Sequence, residues 1–87
     1  MMESVLSPIE QYVVDYVIRL RIKNNLTQAD IGVIINTKGS FVSNVENITN
    51  RAKYNLDHIN ALADHFDVAP RDFLPKKAFA VIDDQKD

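Results

Sequence analysis

LTQADIGVIINTKGSFVSNVE, residues 26–46, carries the signals of two short helices joined by a tight turn. Thr27 has a side-chain oxygen that can take an unpaired amide at a helix start. Gln28 and Ala29 fill the first turn, and Asp30, three positions after the cap, suits the positive end of the helix dipole. Ile31 and Ile35 stand one helical turn apart and face inward together. Gly32 inside this run costs roughly 1 kcal/mol against alanine, which points to another helix crossing closely there. Asn36 tolerates left-handed backbone and ends the helix. Thr37, Lys38, Gly39 and Ser40 lead into a further helix carrying Phe41, Val42, Ser43, Asn44, Val45 and Glu46. The spacing predicts helices over 28–35 and about 39–46, an arrangement in which the second can project into a groove.

Upstream, Ser7-Pro8-Ile9-Glu10 is a capping box with proline where no amide is needed, so a helix starts here. Ile9, Tyr12, Val13, Tyr16, Val17 and Leu20 recur at three- and four-residue steps and form its core face, and Asn24-Asn25 ends it. Downstream, residues 47–54 (NITNRAKY) read as a polar, basic surface loop. Asn55 caps a fourth helix with Leu56, Ile59, Leu62, Ala63 and Phe66 at helical spacing. Pro70 opens a short fifth helix anchored by Phe73 and Leu74 and stopped by Pro75. The expected architecture is all-α, five helices in one domain over residues 1–75, with a C-terminal tail over 76–87 whose AFAVI stretch either docks as a strand or stays irregular.

With 87 residues, 46% hydrophobic and 25% charged, the chain has the composition of a single packed globular domain. It has no cysteine, which excludes disulfides, thiolate metal sites and thiol nucleophiles, and fits the cytoplasm or nucleoid. The first residues, MMESVLSPIEQ, carry acidic rather than basic charge, so neither a signal peptide nor a membrane span is expected. A net charge of −2 argues at first against a nucleic-acid partner. Its distribution reverses the argument. Between residues 19 and 54, Arg19, Arg21, Lys23, Lys38, Arg51 and Lys53 face only Asp30 and Glu46, a net of +4, and both flanks are negative.

The ungapped run 26–46 resembles the helix-turn-helix of the lambda-repressor-like, Xre-type DNA-binding domains. Inward apolar residues stand at Ile31, Ile35, Val42 and Val45, a small residue at Gly32 and the turn residue at Asn36, as that pattern expects. LRIKNNLTQ before it and NLDHINALADHFDVAPRDFL after it extend the resemblance over about residues 9–74. The chain departs from the pattern where the family usually has glycine (Asn36), a branched aliphatic (Thr37) and a serine or threonine cap (Lys38). Ser40 is then an alternative cap for the third helix.

The resemblance implies sequence-specific binding of double-stranded DNA, with the third helix in the major groove, in a transcriptional regulator of repressor type. Lys38, Gly39, Ser40, Ser43 and Asn44 would face base edges. Asn44 is the best reader, since an amide both donates to and accepts from adenine. Lys38 addresses guanine or a phosphate, and Ser40 and Ser43 read either. Gly39 has no side chain to offer, which shifts weight to groove shape. Phe41 either touches a thymine methyl or packs against the second helix. Gln28 would bond a phosphate, and Asn50, Arg51, Lys53 and Tyr54 would grip the backbone after the third helix. Arg21 and Glu46 match an ion pair that holds the recognition helix at its angle, leaving the guanidinium near a phosphate.

Other features point elsewhere with less force. His58 and His65 share a helix with Asp57 and Asp64, but seven residues rise roughly 10 Å, too far for ligands about 2 Å from one ion. They read as solvated or capping groups, and no metal or cofactor is expected. Asp83-Asp84 has no matching base nearby, so the chain does not read as an enzyme. Val14, Ile18 and Ile22 make a second apolar stripe on the first helix, to which Val33 and Ile34 add. It is expected to be covered by a second subunit or by Phe79, Val81 and Ile82 of the tail, or else to be scattered exposed aliphatics. A homodimer on a two-fold operator is the expected functional form. An antitoxin or other protein-interaction module on the same fold, and a relative that has lost DNA binding, are the competing readings.

Overall fold

A computed structural model describes residues 5–81. Four α-helices follow one another: α1 Pro8–Lys23, α2 Gln28–Ile34, α3 Gly39–Glu46 and α4 Leu56–Phe66, then a 3-10 helix, Pro70–Phe73. Among the described residues there is no strand, and no helix is long and apolar enough to cross a membrane. The expected fifth α-helix is a correction. Pro70 and Pro75 bracket only four helical residues, too few to close a regular run of α-type bonds, and the chain settles for the tighter turn.

Helix starts follow their side chains. Ser7 accepts from the Glu10 amide while Glu10 reaches back to the Ser7 amide. Thr27 and Asp30 repeat this on α2. On α4 the reciprocal pair is Asn55 and His58, with Nδ1 of the imidazole accepting from the Asn55 amide. The start of α3 differs: Lys38 occupies the cap position in extended backbone with no side-chain bond, because an ammonium has nothing to accept with. Ser40 lies inside the helix and does not take over as cap.

Helix ends share one device. Past α1, α2 and α4 the chain enters left-handed backbone at Asn25 (φ 61°), Asn36 (φ 60°) and Asp67 (φ 57°). In each case the following amide returns to a carbonyl five residues back: Leu26 to Arg21, Thr37 to Gly32 and Val68 to Ala63. Short polar side chains thus fill the position glycine usually takes.

The two glycines serve the α2–α3 crossing instead. A Cβ on Gly32 would lie 3.0 Å from the Thr37 carbonyl oxygen and 3.1 Å from the Gly39 nitrogen, and a Cβ on Gly39 would lie 3.2 Å from Ala29 Cα. Each glycine admits the backbone of the other helix, so the close crossing expected from Gly32 is present.

The core joins Val13, Val14 and Val17 of α1 to Ile31 and Ile35, Val42 and Val45, and Ile59, Leu62 and Ala63, with Phe73 at 0% exposure. Tyr16 meets the Phe73 ring edge-on at 4.6 Å. Because α1 packs against both α3 and the 3-10 helix, its apolar surface is wider than one stripe. Val14 is therefore a core residue, 1% exposed, and not part of a free partner surface. Ile18 packs half-buried against the core, while Ile22 and Val33 remain 64% and 79% exposed. Ile9, expected in the core, is 44% exposed. Phe79 reaches back to Tyr12, with ring centroids 6.3 Å apart, whereas Val81 is exposed. The tail thus meets α1 near its start and not at Ile22. Ile82, Asp83 and Asp84 lie outside the described residues.

Candidate nucleic-acid interface

The α2–α3 pair is anchored from one side only. Val42 and Val45 are buried, and the opposite face of α3 presents Ser40, Ser43 and Asn44 to solvent. Among the described residues their side chains make no hydrogen bond, so each keeps its full donor and acceptor capacity. Lys38 is exposed at the head of the same face. Gly39 departs from expectation: it is turned toward Ala29 and belongs to the helix crossing. Phe41 also turns inward, toward α4 and the loop before it, with ring centroids 6.2 Å from Tyr54 and 5.3 Å from His58.

Behind α3 lies a network that fixes its angle. Nε and Nη2 of Arg21 donate to the two carboxylate oxygens of Glu46, each at 2.9 Å, and Nη1 donates to the Leu26 carbonyl at 3.1 Å. Gln28 adds an amide bond to Glu46 Oε1 at 3.0 Å. The Arg21–Glu46 pair matches the sequence expectation. The link to Gln28, 18 positions away in sequence, does not follow from periodicity, because it depends on how α2 sits on α3. Gln28 keeps one amide hydrogen and its carbonyl oxygen for another partner.

The segment between α3 and α4 separates into free and engaged groups. Arg51 is exposed, and among the described residues its guanidinium makes no hydrogen bond. Asn50 uses its side-chain oxygen to accept from the Ala52 amide, which leaves the donors of its NH2 group unspent among the described residues. Lys53 is tied to Glu10 of α1, and this bond, with the Ser7 amide, holds the Glu10 carboxyl below its ordinary range. Lys53 is a phosphate ligand only if it leaves that partner.

Tyr54 is the clearest correction. It was expected to grip backbone from a surface loop, but it is 8% exposed, and its hydroxyl is buried with no hydrogen-bond partner. Desolvation holds the phenol well above its ordinary pKa, so it stays protonated and remains a donor. The sequence held a signal for this. Tyr54 directly precedes the Asn55 cap, the position from which an apolar side chain packs toward the fourth helical residue, here the buried Ile59.

Comparison with protein-family models, with curated proteins and with solved structures gives no match to this chain.

Proposed function

We propose that the chain is a lambda-repressor-like helix-turn-helix protein that binds double-stranded DNA and reads the major groove with α3. The observation that carries this reading is the division of α3: one face is locked into the core by Val42 and Val45, while Ser40, Ser43 and Asn44 stand exposed with unspent hydrogen-bonding capacity. Short polar side chains of this kind match base edges, and Asn44 has the bidentate geometry that adenine requires. Lys38 precedes the row in the chain, and Arg51 and the Asn50 amide, in the segment that follows α3, are its phosphate donors. Gln28 supplies a further phosphate contact with the amide capacity that Glu46 leaves unused.

Gly39 and Tyr54 drop out of the contacting set because both face the protein. That leaves few base-reading side chains in one copy, so two copies on a two-fold site are the functional unit, with transcriptional repression as the outcome. Selection of duplexes from a random-sequence pool tests this. The wild-type protein should enrich a symmetric motif containing adenines, and Asn44→Ala should lose preference at those adenines. Enrichment of no motif would refute the reading.

A second reading rests on Ile22 and Val33, which are 64% and 79% exposed. Aliphatic side chains left this open suit a protein partner such as a toxin. A partner copurifying with the wild type, but not with Ile22→Ser/Val33→Ser, would favour it.

A further inference from the structure

Two cations stand in the segment that follows α3, and they differ in what holds them. Arg51 makes no hydrogen bond among the described residues, while Lys53 is engaged with Glu10, 43 positions earlier in the chain. The pair is wet: the side chains of Lys53 and Glu10 are 54% and 31% exposed. Ion pairs this open are worth little, because water and salt compete for both charges.

Glu10 serves its two partners with separate oxygens. Oε1 accepts from the Ser7 amide and closes the α1 capping box, and Oε2 takes the Lys53 ammonium. Lys53 can therefore leave without loosening the start of α1. Nor does the segment depend on the pair for its place. The Val5 amide donates to the Ile48 carbonyl at 3.2 Å, the side-chain oxygens of Asn47 and Asn50 accept from the Thr49 and Ala52 amides, and Tyr54 is buried directly after Lys53. An ammonium on a flexible four-carbon stem, in a bond that neither neighbourhood requires, is free to change partner.

We infer that Glu10 is an internal competitor for DNA: it occupies Lys53 in the free protein, and on binding the ammonium passes from the Glu10 carboxylate to a backbone phosphate. Lys53 then joins Arg51 as a phosphate donor, and Glu10, which touches no nucleic acid, damps the affinity by the worth of the pair that must break. This exchange rests on the DNA reading above.

The test is a set of anisotropy titrations on the full chain with the selected duplex, at about 50 mM and about 200 mM salt: wild type, Glu10→Gln, Lys53→Met and the double variant. Glutamine serves at the third helical position of a capping box as glutamate does, so Glu10→Gln removes the charge and keeps the cap. Asp15→Asn, at an exposed position on the same helix, measures what removal of a negative charge gives without touching Lys53.

Glu10→Gln should bind about two- to five-fold more tightly than wild type, the worth of an exposed pair that no longer has to break. In the Lys53→Met background the gain should shrink to that of Asp15→Asn. In the Glu10→Gln background Lys53→Met should flatten the salt dependence by about one phosphate contact. Equal gains from Glu10→Gln with and without Lys53 would overturn the inference, because the field of the charge alone would then account for them. A Glu10→Gln variant that binds no better than wild type, or worse, overturns it too, as does a salt dependence that Lys53→Met leaves unaltered. A duplex bound by neither wild type nor Glu10→Gln defeats the functional reading and the exchange with it, whereas wild-type binding without the gain defeats the exchange alone.

Discussion

Glu46 on α3 holds Arg21 on α1 through two parallel hydrogen bonds, both 2.9 Å, while the same guanidinium ties down the Leu26 carbonyl. One side chain thus fixes α3 to α1 and to the turn that leads into α2. With the Arg21 and Glu46 side chains 19% and 10% exposed, the pair is neither freely solvated nor fully dry. Arg21→Met should therefore cost about 1–3 kcal/mol, less than the ~3–5 kcal/mol of breaking a fully buried pair. Urea unfolding measures it. If α3 is held by packing alone, the variant will match the wild type.

Gly32 sets a second expectation, in which two effects oppose each other. Alanine gains about 1 kcal/mol in helix propensity, but its Cβ would lie 3.0–3.1 Å from three backbone atoms of residues 37–39, none of which can swing aside. Overpacking of this kind costs about 1–3 kcal/mol and outweighs the gain. Gly32→Ala should be net destabilising and should shift the amide resonances of residues 37–40. A stabilised variant would mean that the crossing has slack.

His58 should make stability depend on pH. Its Nδ1 accepts from the Asn55 amide, so protonation removes one arm of the α4 capping box. Burial holds the imidazole below its ordinary pKa, opposed by Asp57 on the same helix. From α3 it faces Phe41, and from the preceding segment Tyr54, whose phenol stays neutral here. The unfolded chain thus takes up the proton first. The His58 contribution is complete above about pH 6.5, declines as pH falls toward the folded-state pKa, and levels off below it. His58→Gln keeps an acceptor without titrating, so the wild type should lose more Tm than the variant between about pH 7.5 and about pH 5.5. Parallel Tm curves would exclude the effect, and His65→Gln, which leaves the capping box intact, serves as the control.

Much of this structure can be read from local chemistry. Ser7, Thr27 and Asn55 start their helices as their side chains dictate, and Asn25 and Asn36 end theirs in left-handed backbone. The Arg21–Glu46 pair follows from the family resemblance. What local pattern does not carry is the direction a side chain takes once helices meet. Val14 looks like surplus surface until α3 and the 3-10 helix are both packed against α1. Gly39 and Tyr54 sit in polar, basic stretches, and only the α2–α3 crossing and the Phe41–Tyr54–His58 cluster turn them inward. Asp67 in left-handed backbone had no signal beyond its residue type.

The measurement that tests groove reading most directly is fluorescence anisotropy with the selected duplex and a scrambled duplex, at about 50 mM and about 200 mM salt. Wild type should bind the selected duplex saturably and weaken steeply with salt. Asn44→Ala should lose discrimination between the two DNAs, at about 1–3 kcal/mol, while Arg51→Ala should weaken both alike and flatten the salt dependence. No binding tighter than about 10⁻⁵ M at the lower salt, or an Asn44→Ala variant that discriminates as well as the wild type, would contradict the reading.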